Sequence, residues 1–286
     1  MGIFRAAAIQ MRSGKEPRRN VADFEALVRE AAGAGATYVQ SPEMTGAIIR
    51  DSRDRAAAFQ PEARDEVVAA ARRLSAEFGI YLHVGSTGIL REDGKIANRA
   101  FLFGPDGALV ARYDKIHMFD VDLDNGESWR ESATYEPGAE ALVADIGKAR
   151  LGFAICYDVR FPQLFRAEAL AGAQVLTVPA AFTRQTGQAH WHILLRARAI
   201  ENGAFVIAAA QGGLHEDGRE TYGHSLIIDP WGRILAEADH DEPGVIVAEI
   251  DTALSAEARK KIPNLKNARE FAARTVSPVA FRGAAS

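Results

Sequence analysis

The chain has 286 residues and a mass of 30.9 kDa, with 48% hydrophobic residues, 25% charged residues and a formal net charge of −4. That length can bury a large core, and the balance is that of a globular protein rather than a disordered, collagen-like or basic nucleic-acid-binding chain. Cys156 is the only cysteine, which excludes an intramolecular disulfide and fits a reducing compartment. The short apolar run Ala6–Ile9, followed by Arg12, Lys15, Arg18 and Arg19, is neither a membrane span nor a signal peptide, so a soluble cytoplasmic protein is expected.

In chain order, Phe4–Met11 reads as a strand buried on both faces. Asn20 is placed to cap a helix with Val21, Phe24, Val28 and Ala31 at helical spacing, ended by Gly33 and Gly35. Tyr38–Ser41 reads as a strand running into Pro42-Glu43. A helix is expected from near Pro61 to Gly79, with Val67, Val68, Ala71, Leu74 and Phe78 inward, and Ile80–Gly85 as a third strand. The turn sequences Glu92-Asp93-Gly94-Lys95 and Gly104-Pro105-Asp106-Gly107 then predict antiparallel hairpins. Residues 116–138 have no clean periodicity, and a segment that long inside a compact domain is usually functional. Leu151–Ile155 reads as a buried strand ending at Cys156, with Pro162 opening a helix to Gly172. Gln174–Ala181, Ala204–Gln211, Ser225–Asp229, Ile234–Ala238 and Val245–Ile250 read as strands. Thr183–Ala189 reads as a loop, His190–Asn202 as a helix, and Ala253–Lys261 as a basic helix before a polar tail. Without repeat or linker, this is one α/β domain spanning 1–286, its core about 4–251 and its helix and tail 252–286. Two mixed sheets packed between outer helical layers would satisfy it.

Three polar residues stand at strand ends: Glu43, Lys115 and Cys156. Alone, each has a plain explanation as a cap, a solvated charge or a small buried hydrophobe. Together they suit acyl transfer. A carboxylate accepts the thiol proton, an ammonium with a backbone N–H holds an oxyanion, and an acid protonates a leaving nitrogen. The strand–turn–helix setting also suggests a thiol that ionises more readily than a free one.

The motifs Ser41-Pro42-Glu43, Tyr113-Asp114-Lys115-Ile116-His117 and Gly152-Phe-Ala-Ile-Cys156-Tyr157-Asp158-Val159-Arg160-Phe161 resemble the nitrilase (carbon–nitrogen hydrolase) superfamily, over Ala6 to about Asp251. The resemblance implies a four-layer α-β-β-α sandwich, no metal and no cofactor. It implies Glu43 as general base, Lys115 as oxyanion stabiliser and proton donor, and Cys156 as nucleophile. It also implies a second glutamate in the long loop, matched to Glu131 with Glu136 as the alternative. Ala181-Phe182-Thr183, Thr186-Gly187, Ala189-His190-Trp191, Leu195–Glu201, Tyr222-Gly223-His224-Ser225 and Ala208–Gln211 with Gly213 and His215 are most similar to the branch that holds deaminated-glutathione amidases and ω-amidases.

The expected activity is therefore hydrolysis of a small carboxylated amide through a cysteine thioester. The alternatives are an ω-amidase acting on α-keto acid amides, a carbamoylase or nitrilase, or a non-catalytic protein that kept the fold. Tyr157, Arg160, Phe182 and Thr183 are the candidate substrate contacts, although Arg160 could instead pair with Asp158 and Phe182 could be core. His190, His192 and His215 lack ligand spacing for a metal. The partners expected are a small-molecule amide and a second copy of the chain, not nucleic acid or membrane. The resemblance implies at least a dimer. Leu164, Phe165 and Leu170 on the helix after Pro162, with the C-terminal segment, are its candidate surface.

Overall fold

The structure, a computed structural model, describes residues 2–122, 126 and 128–276. Residues 277–286 of the expected tail, and 123–125 and 127 of the long loop, lie outside the described residues. No helix among the described residues is long and apolar enough to cross a membrane.

Two six-stranded mixed sheets dominate. The first has the spatial order Gly244–Asp251, Ile3–Gln10, Tyr38–Gln40, Tyr81–Leu90, Ile96–Phe103, Leu109–Asp114. The second has the order Ile234–Glu237, Leu226–Ile228, Phe205–Ala208, Val175–Thr177, Arg150–Phe153, Val143–Asp145. In each, three parallel strands sit between antiparallel neighbours. The connectivity of Ile3–Asp114 is repeated by Arg150–Glu237: strand, helix, strand, helix, strand, then two antiparallel strands. No sequence repeat signals this, because the two halves share topology rather than residues.

Strand periodicity explains the layers, since alternate side chains leave opposite faces. Ala6, Ala8, Tyr38, Ala100 and Leu102 pack toward the second sheet, with Phe153, Val175 and Ile207. Their neighbours Ala7, Ile9, Val39, Phe101 and Phe103 pack with Phe24, Val28, Val67, Ala71 and Leu74 of the helices Pro17–Gly33 and Glu66–Phe78. The helices Pro162–Leu170 and Arg184–Asn202 cover the second sheet. The expected four-layer α-β-β-α sandwich is therefore present.

Several expected boundaries move, each for a tertiary reason. Asn20 does not cap the first helix, which starts at Pro17. Its buried amide accepts from Gly14 N–H (2.7 Å) and donates to the carbonyls of Gly14 (3.0 Å) and Gly46 (2.8 Å). Pro61 precedes a short 3₁₀ turn, and the second large helix starts at Glu66, capped by Asp65 accepting from Val68 N–H at 2.9 Å. A helix at Ser52–Ala58, absent from the sequence reading, is capped by Asp51. The expected loop Thr183–Ala189 is mostly the first turns of the helix Arg184–Asn202. Gly187 marks a close contact there and not a break, because a Cβ would meet the Tyr222 side chain at 2.3 Å. The aperiodic stretch holds a hairpin, Asp120–Asp122 with Ser128–Arg130, and a 3₁₀ turn at Glu131–Ala133. Leu164 and Phe165, offered as interface, are buried core, whereas Leu170 is 64% exposed.

Candidate active site

The strand Tyr38–Gln40 ends just before Glu43, Leu109–Asp114 just before Lys115, and Arg150–Phe153 three residues before Cys156. The topology thus gathers three strand ends at one crevice, the place where open α/β sheets bind ligands. Cys156 opens a 3₁₀ turn, Cys156–Arg160, with φ +50°, and Met44, next to Glu43, has φ +55°. For side chains other than glycine such left-handed backbone costs about 1–3 kcal/mol and persists only when the surroundings over-determine it.

Asp158 supplies that constraint at the cysteine turn. Its buried carboxylate accepts from Tyr113 O–H (2.8 Å), His117 N–H (2.9 Å) and Ile155 N–H (2.9 Å), and pairs with His117 Nδ1 (2.7 Å). The motif around Lys115 therefore also holds the motif around Cys156. Cys156 N–H donates to Pro179 O at 2.9 Å. Gly85 lets the chains close here, because a Cβ would lie 2.0 Å from Ser41 O and 2.4 Å from Pro179. Gln211, from the sequence motif near His215, donates to Glu43 O at 3.0 Å and so fixes its backbone.

Glu43, Lys115, Cys156 and Glu131 come together. Lys115 Nζ donates to Glu43 Oε1 at 3.0 Å and to both Glu131 oxygens at 3.0 and 2.8 Å. The second Glu43 oxygen accepts from Ala181 N–H at 2.9 Å, and the Cys156 thiol also hydrogen-bonds Glu43. Glu136, the alternative to Glu131, is instead paired with Lys95 at the surface. One partner escaped the sequence reading. Asn98, 1% exposed, donates from Nδ2 to Glu43 Oε1 at 2.9 Å and to Glu131 Oε1 at 3.2 Å. Its signal was present as an isolated amide in the apolar strand Ile96–Phe103.

Burial and charge set the protonation states. Burial pushes the Glu43 carboxyl up, but the Lys115 ammonium, with hydrogen bonds from Cys156, Lys115 and Asn98, outweighs it and holds Glu43 below the usual range. Burial would lower Lys115, yet Glu131 and Glu43 hold it well above the usual lysine range. Burial and the Glu43 carboxylate push the Cys156 thiol well up, against the pull of Lys115. This corrects the expectation of a readily ionised thiol. Desolvation and the adjacent carboxylate outweigh Lys115 and the Ala181 N–H, which pull the other way. Tyr157 N–H donates to no group among the described residues and adjoins the thiol.

The arrangement is a buried thiol beside a carboxylate, an ammonium and an N–H without an acceptor among the described residues. The carbon–nitrogen hydrolase profile matches residues 5–260. The chain belongs to the carbon–nitrogen hydrolase family.

This carbon–nitrogen hydrolase is 40% identical over 269 residues to a deaminated glutathione amidase of Yersinia enterocolitica, covering 92% of each chain. It is 36% identical over 274 residues to omega-amidase NIT2 of Homo sapiens, covering 94% of this chain and 96% of that one. The C. elegans NitFhit crystal structure superposes with a TM-score of 0.88 at 33% identity, over 94% of this chain and 66% of that longer one.

In this hydrolase Glu43, Lys115, Glu131 and Cys156 line a cavity of about 280 Å³. All four expected substrate contacts line it: Tyr157, Arg160, Phe182 and Thr183. Arg160 does not pair with Asp158, whose oxygens are taken by Tyr113, His117 and Ile155. Its guanidinium lies 3.3 Å from His190 Nδ1 and over the rings of Phe182 (5.4 Å) and Tyr157 (5.9 Å). Phe182 packs on Trp191 from the covering helix. Thr183 stands just before that helix without capping it through its side chain; its hydroxyl meets the Thr186 hydroxyl at 2.8 Å. The other histidines go elsewhere, His192 to Glu237 and His215 between Ser13 O and Thr221. Sequence reading also missed Phe119, Trp129, Tyr135, Arg55 and Arg219 in the cavity wall, which come from segments with no shared spacing.

Proposed function

We propose that this carbon–nitrogen hydrolase is an amidase acting on small carboxylated amides through a thioester on Cys156, as one catalytic domain. The observation that carries this reading is the hydrogen-bonded set Cys156–Glu43–Lys115 inside a cavity that also holds Arg160.

Glu43 takes the thiol proton as sulfur bonds to the amide carbon. The resulting oxyanion sits between the Lys115 ammonium and Tyr157 N–H. As the tetrahedral intermediate collapses, the C–N bond breaks and Glu43 returns the proton to nitrogen, releasing the amine. Lys115, expected from the resemblance to donate that proton, is a poor acid when two carboxylates hold its ammonium. Water, deprotonated by Glu43, then attacks the thioester carbon; the C–S bond breaks, Glu43 returns the proton to the thiolate, and the acid product departs. Glu131 keeps Lys115 charged and aimed. Arg160 clamps the acyl carboxylate, Phe182 packs on the acyl chain and Thr183 hydrogen-bonds it.

The similarity to a deaminated glutathione amidase favours deaminated glutathione as substrate; the similarity to omega-amidase NIT2 supports α-keto acid ω-amides as a second reading. The test is release of ammonia or amine from both, with mass spectrometry of the acylated protein. An acyl adduct on Cys156, and no turnover by Cys156→Ala, support the reading. Turnover surviving in Cys156→Ala, or no turnover of any amide, defeats it in favour of another nucleophile or a non-catalytic protein.

A further inference from the structure

His190 has no part in the chemistry proposed above, yet its position ties it to the cavity. The helix Arg184–Asn202 begins there, with Thr183 and Thr186 in the cavity wall. His190 stands four residues after Thr186 and seven after Thr183, so helical spacing puts it on the same face, one turn further along. It touches Arg160, which lines the cavity. Both terminal nitrogens of the Arg160 guanidinium lie 3.3 Å from one atom, His190 Nδ1. A guanidinium carries only donors, so Nδ1 must be the acceptor. The ring in this contact is therefore the neutral form with its proton on Nε2.

Two successive residues of this helix build the acyl end of the cavity. Trp191, 1% exposed, donates from Nε1 to His224 O at 2.8 Å and packs on Phe182 at 4.8 Å between centroids. Phe182 in turn meets the Arg160 guanidinium at 5.4 Å, with the Tyr157 ring at 5.9 Å. A ring face attracts a cation without fixing the direction of its N–H groups, whereas a lone pair does fix it. His190 supplies that lone pair. An imidazole also orients the guanidinium without cancelling its charge, which a carboxylate at position 190 would do. Holding a long arginine side chain in one rotamer costs entropy, and a guanidinium already oriented spares the substrate that cost on binding.

We propose that His190 is a positioning residue that sets acyl specificity. As a neutral acceptor it orients Arg160, and so makes the enzyme prefer amides whose acyl chain ends in a carboxylate over amides with a neutral chain. His190 acts through Arg160 and touches no reacting atom. The clamp holds the far end of the acyl chain alike in the ground and transition states, so its loss appears in KM. This inference rests on the amidase reading, in which Arg160 clamps the acyl carboxylate, and adds what aims the clamp.

The test measures kcat and KM for two primary amides: the monoamide of a short dicarboxylic acid, and the same chain with a methyl group in place of the far carboxylate. Their ratio of kcat/KM values is the acyl preference, and it is unaffected by the fraction of protein folded. His190→Ala should lower the preference about tenfold, the size of one hydrogen bond to a charged group, through KM for the monoamide. His190→Asn, whose side-chain oxygen can replace Nδ1 as acceptor, should recover most of it. His190→Glu, which adds the cancelling charge, should lower it further than alanine does. In an Arg160→Met background, His190→Ala should lower the preference no further. Equal loss on both amides, a loss confined to kcat, asparagine no better or glutamate no worse than alanine, or the same loss with and without Arg160 overturns the proposal and leaves the amidase reading standing. A wild type with no acyl preference does the same. If wild type hydrolyses neither amide, the amidase reading falls. Calorimetric binding of the monoamide to Cys156→Ala protein then decides: weaker binding with His190→Ala supports the aimed clamp, and equal binding overturns it.

Discussion

Asn98 and Lys115 both act on Glu43, but in ways that kinetics can separate. Lys115→Gln removes the charge beside the oxyanion position, and loss of one such donor typically costs about 10² to 10³ in kcat. An effect confined to KM would make Lys115 a binding residue only. Asn98 is a positioning residue, touching the two glutamates and no reacting atom. Its hydrogen bond is among those that lower Glu43. Asn98→Ala should therefore raise the Glu43 pKa, so that activity, which needs the carboxylate, is lost at a higher pH as the solution is acidified. A pH–rate profile that shrinks without moving its acid limb would assign Asn98 a merely structural part. The thiol gives a second check. Because burial and Glu43 push Cys156 up, iodoacetamide should label the free protein slowly near pH 7 and faster only toward alkaline pH. Fast labelling at neutral pH would contradict the proton inventory proposed for Glu43 and Cys156.

At the scale of elements, the helix Glu66–Phe78 carries a built-in pH dependence. Its cap, Asp65, is 9% exposed, and burial raises its carboxyl from 3.8 to about 6 despite the hydrogen bonds from the helix N–H groups. The folded state thus binds its proton more tightly than the unfolded chain. The associated stability is fully present below about pH 4 and is lost as pH rises through about 6, at most about 3 kcal/mol. Asp65→Asn keeps an acceptor for Val68 N–H without a charge. It should raise the melting temperature at pH 7.5 relative to wild type and leave the two alike at pH 4. Asp65→Ala, lacking the acceptor, should lose about 1 kcal/mol of cap instead. If the Asn variant melted lower than wild type at pH 7.5, the carboxylate would be better solvated than its burial indicates. The same element shows why boundaries are hard to read. Pro61 looks like a helix start by local rules, but Asp65, four residues on, satisfies the free N–H groups of the helix.

For the whole molecule, the helix Arg184–Asn202 leaves Ile193 (71% exposed) and Ile200 (52%) seven residues apart, hence along one face, with exposed Leu170 on the neighbouring helix. The expected dimer loses Leu164 and Phe165 as contacts, and we propose this row as its contact surface instead. Sedimentation at micromolar concentration should give at least a dimer, and Ile193→Glu should shift it toward monomer at unchanged melting temperature measured on the monomer. A wild-type monomer would refute the assembly, and an unaffected dimer in the variant would place it on another face.

What sequence alone determined was whatever local chemistry dictates. Alternation and apolar runs located the strands, and three motifs at strand ends marked Glu43, Lys115 and Cys156, because a nucleophile, a base and an ammonium have few substitutes. Glu131 was legible only through the family pattern, and the structure brings it rather than Glu136 to Lys115. Tertiary structure decided what depends on partners distant in the chain. Asn98 reaches Glu43 from 55 residues away, and Asn20 left its capping position to bind Gly46. Burial beside a carboxylate reversed the expected shift of the thiol. Arg55 and Arg219, separated by more than half the chain, share a cavity wall only because the fold lays the helix Ser52–Ala58 and the hairpin Gly212–Tyr222 along the same crevice. Desolvation and the Coulomb field depend on three-dimensional distance, and sequence separation carries no record of it.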